Sequence, residues 1–447
     1  MSRLVGLSVP VLVLLSLLLG GSSNELWQSN VLQLLAIVLL GLVLAGPLSE
    51  PLGQGARPLI ALVIAAFALA LIQLVPLPPD LWKAIRGREP VVLGFAALGY
   101  PTPWLPLSLS PQKTLQSAFA LIPPVAVMLA VIVTRAHTER SIAGVVIVGA
   151  LASVVLGALQ MASTGPEAWA YIYKYTNPGA VGFFSNRNHM ATLLLAALPF
   201  AAALFAAGHP HIRSRSTAFA MTAMTVGGAG LILFGLVLNG SLAAMALAVP
   251  VIAFSILLLP VGWRFRRFVV PVAVVAFAVS IALLATSWAG SVVAGNPQLD
   301  SVYSRGEIWS QTLRIIMATL PIGTGLGTFT GVYAMHENPA LVTVAWVNHA
   351  HNDYLELLLE TGIPGLLLMV AFLSWFVIQA IRVWRAPFSS LFAKAATIAA
   401  AAMLAHSIVD YPLRTTAMAV VLGACLGMMA GPPRQRRSDE ARHVKIA

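Results

Sequence analysis

The chain reads as an all-α polytopic membrane protein of about twelve helices. Three observations carry that reading: hydrophobic residues fill 59% of the 447 positions, charged residues fill only 9%, and apolar runs of membrane-crossing length recur from end to end. A soluble domain carries roughly 25% charged residues, so most of this chain is unsuited to water. A bilayer core takes roughly 17–25 apolar residues per helix. Twelve segments qualify, at about 4–20, 31–47, 57–76, 114–133, 141–161, 190–207, 217–237, 241–259, 267–288, 363–382, 392–409 and 414–430. They share one membrane, so residues 1–430 form a single transmembrane domain, and 431–447 form a basic tail.

The first segment, with Arg3 before it and Gly20-Gly21-Ser22-Ser23 after it, resembles a signal peptide. Its apolar run of about 17 residues exceeds the roughly 7–15 of a cleaved leader, which favours a retained first helix. Orientation follows from lysine and arginine, which collect on the cytoplasmic side. With the amino terminus inside and loops alternating, 17 of the 26 basic residues fall inside, against four of the 15 acidic ones. Both termini are then cytoplasmic, and the even span count agrees. The formal charge of +11 does not indicate a nucleic-acid partner, because the basic residues are dispersed through short loops and the tail. The single cysteine, Cys425, lies in an apolar run and can form neither an internal disulfide nor a zinc cluster. The tail suits contact with membrane lipids.

Cytoplasmic loops are short, whereas three outer segments are larger, at roughly 77–113, 162–189 and 289–362. The first is proline-rich and holds Trp82 and Trp104, which suits a spacer or an interfacial lid with tryptophans at headgroup level. The third, about 74 residues long, is too long to be a mere connector and is the expected seat of function.

Four stretches carry side chains capable of chemistry. Asn186-Arg187-Asn188-His189 stands at the entrance of the sixth span, where an arginine fork and a helix amino terminus can meet a phosphate. An asparagine cap beside a snorkelling arginine fits the same residues. Ser304-Arg305-Gly306-Glu307 spells a capping box, with Arg305 and Trp309 one turn apart, and Arg314 follows. Pro321 to Phe329 is glycine-rich, but its spacing and surroundings exclude a dinucleotide site and predict a tight backbone turn. His349-Ala350-His351-Asn352-Asp353 opens an amphipathic helix with Asp353, Glu356 and Glu360 on one face and Leu355, Leu358 and Leu359 on another. This helix is expected to lie along the membrane surface. The two histidines lack a metal-site pattern and are better suited to proton transfer. Finally His406 and Asp410 stand one turn apart in His406-Ser407-Ile408-Val409-Asp410-Tyr411-Pro412-Leu413-Arg414, which fits a structural hydrogen bond or a catalytic pair equally.

At these motifs the chain resembles the O-antigen ligase and Wzy-type polymerase superfamily. The resemblance rests on Asn186-Arg187-Asn188-His189, on Arg305 with Trp309 and the Pro321–Phe329 turn, on His351-Asn352-Asp353-Tyr354-Leu355 leading to Glu360-Thr361-Gly362-Ile363-Pro364-Gly365, and on Asp410-Tyr411-Pro412-Leu413-Arg414. It implies a GT-C-like glycosyltransferase of the bacterial inner membrane. Such an enzyme takes a glycan from undecaprenyl diphosphate on the periplasmic side and passes it to another glycan or to lipid A core, with no metal or nucleotide cofactor. By the same resemblance His351 removes the acceptor proton and Asp353 orients it, while Arg187 and Arg305 neutralise the diphosphate. Arg314 and Arg414 are further phosphate partners, and His349, Asn186, Asn188, Glu360, His406 and Asp410 are supporting residues. Many relatives carry Ser-Arg-Gly at the start of a middle span; here the stretch reads Asn239-Gly240-Ser241-Leu242-Ala243, so Arg187 is expected to stand in for that arginine. The leading expectation is a polysaccharide polymerase, with a ligase as the alternative on the same scaffold. A transporter or flippase is the alternative of another class, disfavoured because almost every charge lies in a loop.

Overall fold

The computed structural model describes residues 2–23, 27–46, 52–134, 136–162, 171–173, 179–211, 214–260, 262–293, 305–337, 346–387 and 389–431. Tyr303, Ser304, the tail beyond Gly431 and several of the arginines used for orientation, among them Arg135 and Arg213, lie outside the described residues. The described chain is almost wholly helical, apart from one two-residue antiparallel pairing of Pro76 with Pro106 and Leu77 with Leu105.

The helices run in order as α1 (Ser2–Leu19), α2 (Trp27–Leu44), α3 (Ala56–Ile72), α4 (Pro79–Lys83), α5 (Glu89–Ala97), α6 (Pro111–Ala120), α7 (Ile122–Thr134), α8 (Ala136–Ala162) and α9 (Arg187–Gly208). They continue as α10 (Arg215–Asn239), α11 (Leu242–Ile256), α12 (Trp263–Val293), α13 (Arg305–Thr319), α14 (Phe329–His336), α15 (Asp353–Arg385), α16 (Leu391–His406) and α17 (Thr416–Ala430). Among the described residues six helices are long and apolar enough to cross a membrane, and six more apolar helices are shorter. Together they coincide with the twelve segments expected from hydropathy. The fourth segment is split where Pro123 and Pro124 interrupt the hydrogen-bond ladder between α6 and α7.

Cross-links between helix ends show how α1, α3, α9, α10, α15 and α17 are directed. At one end, the Ala417 amide donates to the Gly20 carbonyl, Gln73 donates to the Glu360 carbonyl, and Asn239 donates to the Arg187 carbonyl. At the other, Trp375 donates to the Gly55 carbonyl and Gln379 to the Met429 carbonyl. The described parts of the three larger connections lie at the first of these ends, called the site end below. α1 is an integral member of the bundle, with Val9, Val13 and Leu17 fully buried.

In lipid there is little hydrophobic drive between helices, so close packing by small residues does the work. α16 buries Ala395, Ala396, Ala399 and Ala400 completely. On α17, a Cβ at Gly423 or Gly427 would collide with the Pro124 or Met128 carbonyl of α7, so two backbones meet there. Helix starts are set by polar caps: Asn186 for α9, Ser241 for α11, Asn352 for α15, Ser390 for α16 and Thr415 for α17 each accept a hydrogen bond from a first-turn amide.

The Pro321–Phe329 stretch forms the expected tight turn. Its Gly323, Gly325 and Gly327 adopt left-handed backbone, and the Thr324 and Gly325 amides donate to the Leu359 and Glu360 carbonyls of α15. Arg88, fully buried, ties the 77–110 excursion to this turn by donating to the carbonyls of Leu107 (2.5 Å) and Gly323 (3.1 Å). Burial lowers its guanidinium to about 10, an effect that Glu89 partly offsets, so it remains charged at neutral pH. Of the two readings of this loop, a spacer or a lid with tryptophans at headgroup level, the second does not hold for Trp82, which is buried and donates to the Pro106 carbonyl, while Trp104 is exposed.

α15 bends at Gly362, whose φ of 60° and ψ of −149° belong to a region that side-chain-bearing residues avoid. A Cβ there would strike the Pro321 carbonyl oxygen. Gly362→Ala is therefore expected to destabilise the protein by about 1–3 kcal/mol or more, seen as a lower thermal midpoint in detergent. Gly331→Ala, at an open position on α14, serves as the neutral comparison.

Candidate functional site

Four chain segments meet at the site end: the start of α9, the start of α13, the 346–353 lead-in to α15, and the turn between α16 and α17. The side chain at their junction is Asp410, only 1% exposed. One oxygen, Oδ1, accepts the Tyr411 amide at 2.8 Å and the Asn186 amide side chain at 3.5 Å, and it lies 3.3 Å from His189 Nε2. The other, Oδ2, accepts from the Asn188 side chain, lies 3.3 Å from Arg305 Nη2 and 4.0 Å from His351 Nδ1. Burial alone would push this carboxyl upward; the His189 and His351 imidazoles facing it outweigh that effect and hold it well below the usual carboxylate range. Asp410 is thus an anion that fixes the positions of two histidines, two asparagines and an arginine.

His351 adopts a left-handed backbone (φ 50°), uncommon for a residue with a side chain. Its neighbours hold it there. The Ala350 amide donates to Glu356, the Ala350 carbonyl accepts from Trp309, and Asn352 caps α15 through the Tyr354 and Leu355 amides. Strain held by surrounding bonds in this way is a mark of a functional position. The imidazole remains 26% exposed, open on one side and backed by Asp410 on the other. Tyr411 packs against three histidine rings at once, with centroids 4.8 Å from His189, 4.2 Å from His349 and 4.9 Å from His351.

A second network lies beside the first. Each nitrogen of Arg414 faces a different carboxylate of α15: Nε and Asp353 at 3.7 Å, Nη1 and Glu356 at 3.5 Å, Nη2 and Glu360 at 3.0 Å. Burial works against the charge on Arg414, but Glu356, Glu360 and Asp353 prevail and raise its affinity for the proton. His349 bridges Glu356 (2.8 Å) to Ser23 (3.1 Å) in the loop after α1.

Several expectations change. Asp353 was expected to orient His351; its carboxylate instead accepts from Ser407 at 2.7 Å and faces Arg414, and the carboxylate facing His351 is Asp410. Asp353 follows the cap residue and is drawn to the Ser407 end of α16, where its own amide also bonds. Arg414 was expected to meet phosphate, yet its donors are occupied by three carboxylates. The acidic face of α15 was expected at the membrane surface, but Glu356 and Glu360 are buried against Arg414. Arg314 is exposed on α13 and bonds to Gln311 of its own helix. His406 pairs through Nδ1 with Thr192 (2.8 Å), not with the Asp410 carboxylate.

Other expected residues do assemble. Asn186, Asn188, Arg305 and His351 all meet Asp410. Arg187 opens α9 beside them, and among the described residues no hydrogen bond or ion pair engages its guanidinium. The α10–α11 corner, where many relatives of the resembled family carry an arginine, reaches the same spot: Asn239 donates to the carbonyls of Arg187 and Ala180, both at 2.7 Å. His189 and Tyr411 were not singled out, although both lie inside the quoted motifs; their role depends on Asp410 being the centre. Among the described residues no group of three histidine, cysteine or acidic side chains is placed to hold a metal ion.

Two predictions follow from these charges. Removing the guanidinium that faces Asp353 and the buried Glu356 and Glu360, as in Arg414→Leu, is expected to cost about 3–5 kcal/mol of stability, measurable by thermal unfolding in detergent. Asp410, with its folded pKa depressed, adds stability that is present above its unfolded value of about 3.9 and is lost as pH falls through the lower folded value. Asp410→Asn should therefore lower the thermal midpoint at neutral pH and flatten its decline on the acid side; an unchanged midpoint at neutral pH would contradict the arrangement.

Comparison with known families adds one match: the model for O-antigen ligase covers residues 227–370, a stretch that holds Arg305, His351, Asp353, Glu356 and Glu360. No curated protein matches the chain. Over residues 227–370, then, this all-helical multi-pass membrane protein is similar to the O-antigen ligase family.

Proposed function

We propose that the chain is a glycosyltransferase that moves a glycan from undecaprenyl diphosphate to a sugar hydroxyl, at the periplasmic face of the bacterial inner membrane. The observation that carries this reading is the partly open His351 imidazole, backed by the buried Asp410 anion, with Arg305 on the same carboxylate and, at the adjacent helix start, Arg187, whose guanidinium has no partner among the described residues. In the reaction the acceptor hydroxyl oxygen bonds to the anomeric carbon of the donor sugar. The bond from that carbon to the diphosphate oxygen breaks, and the diphosphate departs with the electron pair. His351 takes the hydroxyl proton, and Asp410 stabilises the imidazolium that forms. Arg187 and Arg305 neutralise charge on the departing diphosphate, helped by the amino-terminal end of α9.

The site end would face the periplasm, with both termini in the cytoplasm, in keeping with the excess of basic residues assigned to the other side. A polymerase is the favoured form. The Asn186-Arg187-Asn188-His189 and Asp410-to-Arg414 stretches, which resemble exopolysaccharide polymerases, meet at the Asp410 carboxylate. Among the described residues buried charge lies at the ends of the bundle, Glu139 at one and the rest at the site end, instead of at mid-depth along a path, which disfavours transport.

His351→Ala and Arg305→Ala should each reduce transfer from purified lipid-linked glycan by about 10²-fold or more, with membrane insertion intact. Wild-type rates in either variant would remove that residue from the mechanism. Gene deletion separates the acceptors. Loss of long polymer with single repeats still transferred means polymerase, whereas long polymer trapped on its carrier above bare lipid A core means ligase. No change in either glycan pool would overturn the glycosyltransferase reading.

A further inference from the structure

The excursion between α3 and α6 has a fixed base and an unpacked tip. Its base is held by the Pro76–Pro106 and Leu77–Leu105 pairing, by Trp82 donating to the Pro106 carbonyl at 2.8 Å, and by the buried Arg88 bound to Leu107 and Gly323. Its tip is α5, Glu89–Ala97, with the sequence EPVVLGFAA and no buried residue. Leu93 is 67% exposed and Leu98, just past the helix, 72% exposed; Tyr100 and Trp104 are exposed as well. Soluble surfaces rarely leave a contiguous apolar patch of this kind uncovered.

The apolar surface is continuous with that of α3. Leu71 and Ile72, at the site end of this membrane helix, are exposed, and so are Val75 and then Leu81 on α4. The excursion thus leaves the bundle where α3 leaves the hydrocarbon. A helix of nine residues is about 13 Å long, too short to cross a bilayer but long enough to lie in its interface. Tyr100 and Trp104 are the aromatic types that settle at headgroup level. Lys83 and Arg86, both exposed on the stretch before α5, place two cations beside the apolar tip, next to the exposed carboxylates of Asp80 and Glu89.

We propose that α5 with Leu98, Tyr100 and Trp104 is an interfacial wedge that inserts into the leaflet at the site end, with Lys83 and Arg86 against anionic lipid headgroups. The wedge is joined to the site through a short path. Arg88 holds the Gly323 carbonyl, and the next residues of that turn donate to the Leu359 and Glu360 carbonyls on α15, whose Glu360 binds Arg414. Lipid contact at α5 therefore sets the height of the turn, and with it the start of α15, above the bilayer. The inference does not depend on the proposed reaction.

The test uses the full chain in lipid nanodiscs. Cys425→Ala removes the one native thiol, which is buried, and Leu93→Cys then takes an environment-sensitive fluorophore. Quenching by doxyl-labelled phospholipid, with protection from aqueous iodide, is expected. Adding Leu98→Asp and Tyr100→Asp should reverse that preference; neither side chain is buried, so the fold tolerates the change. Lipid quenching should also be stronger in phosphatidylglycerol than in phosphatidylcholine bilayers, and the difference should vanish with Lys83→Glu and Arg86→Glu. A label open to iodide and untouched by doxyl lipid would overturn the wedge. A label shielded from both quenchers would overturn it too, and would mark α5 as a protein-covered face. Equal quenching in the two bilayers would overturn the anionic-lipid contact.

Discussion

Asp410 is an ionised side chain at 1% exposure, and such a group persists only when its surroundings supply the stabilisation that water no longer provides. Its surroundings come from every part of the site: the α9 cap with Asn188 and His189, Arg305 at the start of α13, His351 ahead of α15, and the Tyr411 amide of its own turn. Four segments far apart in sequence are thereby held to one point. The Tyr411 ring, packed among three histidines, fills the space behind that point and keeps the imidazoles apart.

The Arg414 network performs a different task with similar chemistry. It fastens the first two turns of α15 to the α16–α17 turn, and His349 extends the connection to Ser23. Three carboxylates around one guanidinium need their geometry maintained, and the glycine turn at 323–327 maintains it from the other side by holding the Leu359 and Glu360 carbonyls. Gly362 then lets α15 change direction as it enters its long apolar part. Glycine is required there because the backbone adopts a conformation closed to other residues and approaches the Pro321 carbonyl.

Much of the architecture was legible in the residue order. Hydropathy located all twelve apolar helices, because each must satisfy its own backbone polar groups within lipid and so each needs a local apolar run. The glycine turn at Gly323–Gly327 was legible from composition alone. So was the chemical character of Arg305, His351 and the Asn186–His189 stretch. The pairings were harder to read. Asp353 stands two residues from His351 and invited a pairing that the chain geometry refuses: His351 turns left-handed, Asn352 caps the helix, and Asp353 is carried to Ser407. The acidic stripe of α15 looked solvent-facing because nothing local marks a buried partner such as Arg414.

By itself, then, the sequence determined where the apolar helices among the described residues begin and end, and that the chain is a multi-pass membrane protein. These follow from composition within windows of about twenty residues, the length a bilayer imposes. Tertiary structure decided which ionisable groups meet. Asp410 lies 59 residues beyond His351 and 221 beyond His189, yet it is the carboxylate that faces both. Electrostatic pairing depends on distance in space and on exclusion of water, and both are set only when α9, α15, α16 and α17 pack together.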